Sequence, residues 1–296
     1  MRTCVIFNRK AKGGKARRFR QRLRTMSAEC TLKFTVSAGD ARRLAANAIQ
    51  EGFEVVVAAG GDGTLNEVLN GFGDVPDGFE RTRLGVLPIG TINVFAREVN
   101  IPRKLDRAWA VICEGRETVI DLPSVEYQNN GTTQRRYFAQ LAGAGLDARA
   151  IELVHWRLKQ AVGGVAYFIA VLEALMRTQS RITVTGGGHS ATGGLVLLGN
   201  GRFYGGTLHV FPDANLRDGL LEVCVLPRVS FFTLALCGIS LLFRRTLPAS
   251  VTQTFQASSL TLSSPTRTPM ETDGEFVGLL PATFTLQRSR LRVIVP

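Results

Sequence analysis

Over the first 123 residues, apolar positions come in short runs separated by polar, helix-periodic segments. Thr3–Phe7, Val55–Ala59, Leu84–Leu87 and Thr118–Leu122 are aliphatic or β-branched along most of their length, as in strands buried on both faces of a parallel sheet. Leu32–Val36 alternates and reads as a further strand. Helices are predicted from Ala16 to about Met26, from Asp40 to about Gln50, over Leu65–Leu69, around Phe95, Ala96 and Val99, and over Leu105–Cys113. Asp40 is placed as a cap, with Leu44, Ala45, Ala48 and Ile49 on one face. Gly73–Thr82 reads as a loop. Strands that alternate with helices imply right-handed crossovers. After Pro123 the character shifts. Arg136–Ala142, Arg181–Thr185, Gly194–Gly199, Thr207–Phe211, Leu220–Leu226, Ser258–Leu262, Ala282–Leu286 and Leu291–Val295 are short strands between turns, the pattern of an antiparallel sandwich. A helical stretch from about Asp147 to Arg177, broken at Gly163-Gly164, interrupts them. The expected domains are 1–123 and 124–296, with the last strands free to return to the first. No internal repeat or low-complexity linker is visible.

Three of the strand ends carry glycine. Val55–Ala59 runs into Gly60-Gly61-Asp62-Gly63-Thr64, and a helix follows. Thr64 and Glu67 have the spacing of a capping box, which would start that helix where the glycines end. The first strand runs into Asn8 and then a basic Gly-rich loop with Lys10, Lys12 and Lys15. The Leu84–Leu87 strand runs into Pro88, Gly90, Thr91 and Asn93. Side-chain-free backbone beside a helix start suits phosphate. In parallel sheets ligands bind at the carboxyl ends of the strands, so all three loops are expected on one rim, with Asp121 ending its own strand there. Asp62 is the unusual member. A carboxylate among phosphates needs a cation between them, or a proton to accept from an attacking hydroxyl, and both point to Mg²⁺-dependent phosphoryl transfer.

The 296-residue chain is 45% hydrophobic, which is ordinary for a globular protein, but its formal net charge is +12. Such a surface draws polyanions. The aromatic residues lie in apolar runs without interleaved Lys and Arg, so an anionic membrane surface fits better than nucleic acid. The five cysteines are scattered inside apolar stretches and read as buried thiols in a reducing compartment, with no disulfide frame or zinc spacing. None of the three histidines has ligand spacing. The N-terminus has too short an apolar part for a signal peptide. The expected place is therefore the cytoplasm, with peripheral attachment to membrane. Val229–Phe243 is the long apolar run, short of the roughly twenty residues a spanning helix needs. It reads as a core helix of the second domain, with a helix dipping into one leaflet as the alternative. Oligomeric state is left open, a homodimer being one option.

GGDGTLNEV, then PIGTINVFARE, YGGTLHVFPDANLRDGLLEV and METDGEF, in that order, resemble the diacylglycerol kinase catalytic family, which includes bacterial soluble lipid kinases and sphingosine kinases. The likeness spans nearly the whole chain. It implies an N-terminal α/β domain like those of phosphofructokinase and NAD kinase, a C-terminal β-sandwich, and a nucleotide in the cleft between them. By position it implies an ATP site at Asn8, Lys15, Gly60, Gly61, Gly63, Thr64, Gly90, Thr91 and Asn93. It implies Asp62, Asp273 and Glu275 as catalytic carboxylates, and Asp62, Asp121 and Asp218 in a Mg²⁺ or structural metal network. Asn66, Glu67 and Asp147 are the substrate-side candidates. Two positions depart from the family pattern: Val94 stands where many members have Asp, and Arg9 where Pro is usual.

The function expected is ATP- and Mg²⁺-dependent transfer of the γ-phosphate to a lipid hydroxyl, most simply of the diacylglycerol type. The alternatives are a soluble kinase acting on NAD, which uses a similar GGDGT loop, and a non-catalytic membrane-binding member, suggested by Val94. The apolar run and the basic surface speak against NAD, because a water-soluble substrate gives no reason for either.

Overall fold

The computed structural model describes residues 2–8, 30–153, 173, 175, 180–243 and 246–296. The chain divides into two compact units. The first comprises residues 1–122, 205–207 and 288–296, and the second comprises 123–204 and 208–287.

The first unit is a parallel α/β layer. Strands β1 (Thr3–Asn8), β2 (Thr31–Thr35), β3 (Val55–Gly60) and β4 (Arg83–Pro88) line up in the order β2-β1-β3-β4, all parallel. β1 is buried over its first five residues and β3 throughout, which is why both read as continuous apolar runs rather than alternating ones. Helices α1 (Asp40–Gln50), α2 (Asp62–Gly73), α3 (Gly78–Arg81), α4 (Val94–Glu98) and α5 (Leu105–Glu114) fill the connections. α1 buries Ala41, Ala45, Ala48 and Ile49 as one stripe, spaced as the 3.6-residue turn requires. Part of the expected loop before β4 is the short helix α3. The basic loop with Lys10, Lys12 and Lys15, and the helix expected after it, lie outside the described residues.

Two expectations about local structure fail here. Asp40 is not the cap but the first residue of α1. Its Oδ2 accepts the N–H groups of Val36 (2.8 Å) and Ser37 (3.0 Å), and these bonds hold its carboxyl below the usual range. The strand carrying Asp121 does not end there. β5 runs from Glu117 to Asn129, straight through Pro123. Proline lacks only the N–H, and the Pro123 carbonyl still accepts from Phe138 N at 3.1 Å.

The second unit is antiparallel. Its sheets contain β6 (Thr132–Tyr137), β7 (Leu141–Gly145), β8 (Ile182–Gly186), β9 (His189–Gly193), β10 (Leu195–Gly199), β13 (Leu221–Leu226), β14 (Gln253–Ala257), β15 (Ser259–Ser263), β16 (Pro269–Thr272), β17 (Glu275–Leu279) and β18 (Ala282–Ile294), besides the small ribbon β11 (Phe203–Tyr204) and β12 (Leu208–His209). One sheet has the order β14-β13-β10-β7-β16-β17, and the other continues β18-β15-β8-β9. The two expected C-terminal strands are the single strand β18. Its Ala282–Thr285 part pairs antiparallel with β15, while Val293 pairs parallel with Leu84 of β4 in the first unit's sheet.

Alternation along β10 sorts its side chains. Val196 and Leu198 enter the core between the sheets with Val184, Leu262 and Phe284, while Leu195 and Leu197 face the other way. Helices α6 (Leu146–Leu153) and α7 (Phe231–Phe243) cover that second face through Leu146, Ala150 and Cys237. Both faces of β10 are therefore apolar. The long helix expected after Asp147 is described as α6, and most of the remainder falls outside the described residues.

The expectation that all five cysteines are buried holds for Cys4, Cys224 and Cys237, and burial pushes Cys4 and Cys224 up to about 12. Cys113 is exposed, because only one stripe of α5 faces the core. No described helix is long and apolar enough to cross a membrane.

Candidate active site

In the first unit the carboxyl ends of β1, β3 and β4 lie side by side, and the end of β1 is tied to the loops that leave β3 and β4. Asn8 Nδ2 donates to Thr64 Oγ1 (3.2 Å). The N–H groups of Ile89 and Gly90 both donate to the Gly60 carbonyl at 3.0 Å. Gly61 and Gly90 meet backbone to backbone: a Cβ on Gly90 would lie 2.4 Å from the Gly61 Cα and 2.8 Å from Asn93 Oδ1. Only glycine allows the loops to close this far. Gly90→Ala is expected to force them apart at a cost of about 1–3 kcal/mol, the usual scale of overpacking. It should also weaken nucleotide binding. A thermal melt beside a nucleotide titration checks both, and wild-type values in each would show that the contact is dispensable.

The turn after β3 is tighter than the sequence suggests. α2 starts at Asp62, with Gly61 extended before it and no side-chain cap. Thr64 and Glu67 form no capping box. Thr64 is occupied by Asn8, and Glu67 reaches the start of α1, where Oε1 accepts from Gly39 N and Oε2 from Ala41 N, both at 2.9 Å. The donors at the start of α1, which have no partner within their own helix, outcompete Glu67's own helix start. Asp62 therefore sits in the first turn of α2 and is half-buried. Its Oδ1 accepts Phe95 N at 3.4 Å, which ties it to the third loop. Asn93 takes a left-handed conformation, donates Nδ2 to the Gly90 carbonyl at 2.6 Å and leaves its buried Oδ1 with no protein partner. Thr91 is exposed beside it. Val94 is buried in the first turn of α4 and offers no polar atom to a ligand. Asn66 is fully buried and accepts from Asn70 Nδ2 at 3.2 Å, so its side chain faces the interior. Asp121, also buried, accepts Ser289 N at 2.7 Å within the same unit. Lys15 lies outside the described residues.

The second unit holds the other predicted acids. Asp273 is in a left-handed turn, and its carboxylate accepts three backbone N–H groups, those of Ala139 (2.8 Å), Gln140 (2.9 Å) and Leu141 (3.2 Å). Glu275 pairs with Arg136 at 2.6 Å. The two acids share no partner in these bonds. Asp218 accepts Leu220 N at 2.9 Å and closes its own turn.

Asp147 lies in a buried pair that the sequence did not reveal. Tyr204 donates its hydroxyl to Asp147 Oδ1 (2.5 Å), while Asp147 Oδ2 and Glu271 Oε1 both flank Gly143, and the two carboxyl groups interact. A Cβ on Gly143 would lie 2.9 Å from both of these oxygens. Glu271 is fully buried, and its Oε2 accepts Gly274 N at 2.8 Å. Burial, then the charge of Asp147, push the Glu271 carboxyl well above its ordinary value, and the Gly274 N–H opposes them more weakly. Two carboxyl oxygens side by side share a proton rather than both ionising. A signal for Glu271 existed in the sequence: it is a lone acid between Met270 and Thr272, just before Asp273. Its partner is 124 positions earlier and becomes visible only when β7 and β16 pair with Gly143 opposite Glu271.

No group of three or more His, Cys, Asp or Glu side chains is gathered as a metal cage among the described residues. The chemistry of the first unit's rim still fits a nucleotide with Mg²⁺, which binds through one or two carboxylates and phosphate oxygens rather than an all-protein cage.

The fold defines a two-domain protein, an α/β unit and an antiparallel β unit. The diacylglycerol kinase catalytic domain model matches residues 2–125, and the YegS C-terminal NAD kinase beta sandwich-like domain model matches residues 140–295. A diacylglycerol kinase of Staphylococcus carnosus (strain TM300) is 32% identical over 271 residues, covering 88% of this chain and 83% of the relative. One from Staphylococcus aureus (strain Newman) is 33% identical over 266 residues, covering 88% and 81%. The crystal structure of a diacylglycerol kinase from Bacillus anthracis str. Sterne superposes with a TM-score of 0.72 at 19% identity, over 100% of this chain and 97% of that one. The chain belongs to the diacylglycerol kinase catalytic family.

Proposed function

We propose that the protein transfers the γ-phosphate of ATP, with Mg²⁺, to the hydroxyl of a diacylglycerol-type lipid. The observation that carries the reading is the closure of the second and third loops on each other at Gly61 and Gly90, with Asp62 in the adjoining first turn of α2. Such a rim offers backbone N–H groups and a helix start to phosphate, with one carboxylate beside them. The nucleotide would be held by Gly60–Thr64, Gly90, Thr91 and Asn93, whose buried Oδ1 is available. Asp62 would hold Mg²⁺, which when bound offsets the charge of the phosphates.

Within this reading the carboxylates divide the work. Asp62 is the group that faces the transfer, as metal ligand or as acceptor of the hydroxyl proton. Asp273, engaged by three N–H groups, fixes the 139–141 segment and acts through position. Asp121 braces Ser289 of β18, and Asp218 closes its own turn. The lipid names of the relatives, with the charge of +12, support an acceptor resident in an anionic membrane, where the protein would work peripherally.

The test is transfer of labelled γ-phosphate from ATP to a panel in mixed micelles: a diacylglycerol, a sphingoid base, a polyprenol and, without micelles, NAD. Label is expected in the diacylglycerol and to require Mg²⁺. Label in NAD alone, or none in any acceptor, would overturn the reading.

A further inference from the structure

α7 is the run expected as a core helix, and the structure shows that only its inner stripe is covered. Cys237 and Ser240 are buried, but Phe231 is 66% exposed, Phe232 74%, Ile239 55%, Leu242 71% and Phe243 83%. At about 100° per residue these five side chains fall within an arc of about 120°. The helix start is fixed independently. Ser230 N donates to Thr233 Oγ1 at 2.9 Å and Thr233 N to Ser230 Oγ at 3.2 Å, a reciprocal cap. The inner face is held by the layer that contains Leu195, Leu197, Cys224 and Leu226. The apolar arc is thus a fixed surface, not a frayed end.

The charge around it has one sign. No Asp or Glu occurs in the sequence between Glu222 and Glu271, while Arg228 precedes the helix and Arg244 and Arg245 follow it. Arg228 also lines a cavity of about 430 Å³ with Arg181, Gly193, Gly194 and Val229. Neither Arg181 nor Arg228 has an ion-pair partner among the described residues. An apolar arc with the unpaired Arg181 and Arg228 at its base, and two more arginines next in the sequence, matches a hydrocarbon surface under anionic headgroups. A helix of 13 residues is about 20 Å long, too short to cross the roughly 30 Å core, so it would lie in the plane of the interface.

We infer that α7 is a membrane-docking helix. It inserts Phe231, Phe232, Ile239, Leu242 and Phe243 into one leaflet of an anionic bilayer, with Arg181 and Arg228 taking lipid phosphate at its base. This rests on the lipid-kinase reading only for what the membrane carries, and the docking itself is testable without ATP. Full-length protein is spun with vesicles of phosphatidylcholine alone or mixed with phosphatidylglycerol, with Phe232→Ser/Phe243→Ser and Arg181→Gln/Arg228→Gln as variants. The wild type is expected to partition at least about tenfold better onto the anionic vesicles. The Phe variant should lose at least about tenfold on these vesicles. The Arg variant should lose most of the anionic preference, and salt should do the same to the wild type. Exposed positions leave folding intact, which a melt checks. Partitioning of the Phe variant equal to the wild type, or no wild-type binding to any vesicle, would overturn the proposal. So would a wild-type dimer that the Phe variant converts to monomer, because the arc would then be a contact between copies. Vesicle binding through α7 with no phosphoryl transfer would defeat the kinase reading and leave the docking standing.

Discussion

Asp62→Asn is expected to leave the fold in place and to remove phosphoryl transfer. The substitution keeps the shape of the side chain and an oxygen able to accept Phe95 N, so the tie between the second and third loops survives. What it removes is a negative charge in the first turn of α2. Such a charge stabilises a helix start by about 0.3–1 kcal/mol, so the melting temperature should fall by a few degrees at most. The chemistry needs the charge itself, either to bind Mg²⁺ or to take the hydroxyl proton. An amide does neither well, and turnover should fall by at least about 10²–10⁴-fold, the range for loss of an acid–base group. ATP affinity separates the two roles. If Asp62 binds the metal, Asp62→Asn should weaken ATP only when Mg²⁺ is present. If it is the base, binding should be unchanged and only transfer lost. A folded variant that turns over like the wild type would remove Asp62 from the mechanism.

The parts of the site that were legible in the sequence are those made by neighbours along the chain. Val55–Gly60 followed by glycines and a helical pattern gave a buried strand, a turn and a helix start because each signal is local. That three such loops share a rim followed from parallel pairing alone; the bonds Asn8–Thr64 and Gly90–Gly60 bear it out for the second and third loops and for the end of β1, while the loop after Asn8 lies outside the described residues. What failed was local chemistry with a remote competitor. Glu67 has capping-box spacing to Thr64, yet its carboxylate goes to Gly39 and Ala41. Asp121 read as a strand end because the apolar run stops at Leu122, but the strand continues through Pro123, whose carbonyl still accepts Phe138 N. Asp273 and Glu275 came as a carboxylate pair from the family resemblance, by position. In a turn, two residues apart do not share a face, and one goes to the 139–141 backbone while the other goes to Arg136. α7, read as a core helix with a leaflet-dipping helix as the alternative, packs one stripe on the core and leaves the rest open, a division not legible for a different reason. A run apolar all round carries no record of which face the protein covers, and only the packing shows that half of it is left bare.

The stability of the protein should fall as pH rises above the ordinary carboxylate range, and Glu271→Gln should flatten that fall. In the unfolded chain Glu271 loses its proton near 4.5; in the folded protein burial and Asp147 keep the proton on to a much higher pH. Between these two points the folded state binds more protons than the unfolded state. Each pH unit then costs the folded state about 1.4 kcal/mol. The contribution is fully present below the unfolded value and is lost as pH rises through the folded one. Glu222 adds to the same slope, since its burial also raises its carboxyl. It does so equally in the wild type and the variant, so their difference isolates Glu271. Asp40 and Glu117, both held low by their partners, act only below this window. Gln at 271 keeps an oxygen for Gly274 N and places an amide donor against Asp147 Oδ2, which takes over the role of the shared proton. The variant should therefore match or slightly trail the wild type near pH 5 and become the more stable of the two by pH 8. Asp147→Asn should keep part of the slope, because burial, the larger cause of the Glu271 shift, remains when the charge of Asp147 is gone. Urea unfolding of the three proteins at several pH values decides it. Parallel curves for wild type and Glu271→Gln would mean that no proton is held between Asp147 and Glu271, and that the bonds from Tyr204 and Gly274 keep two buried charges together.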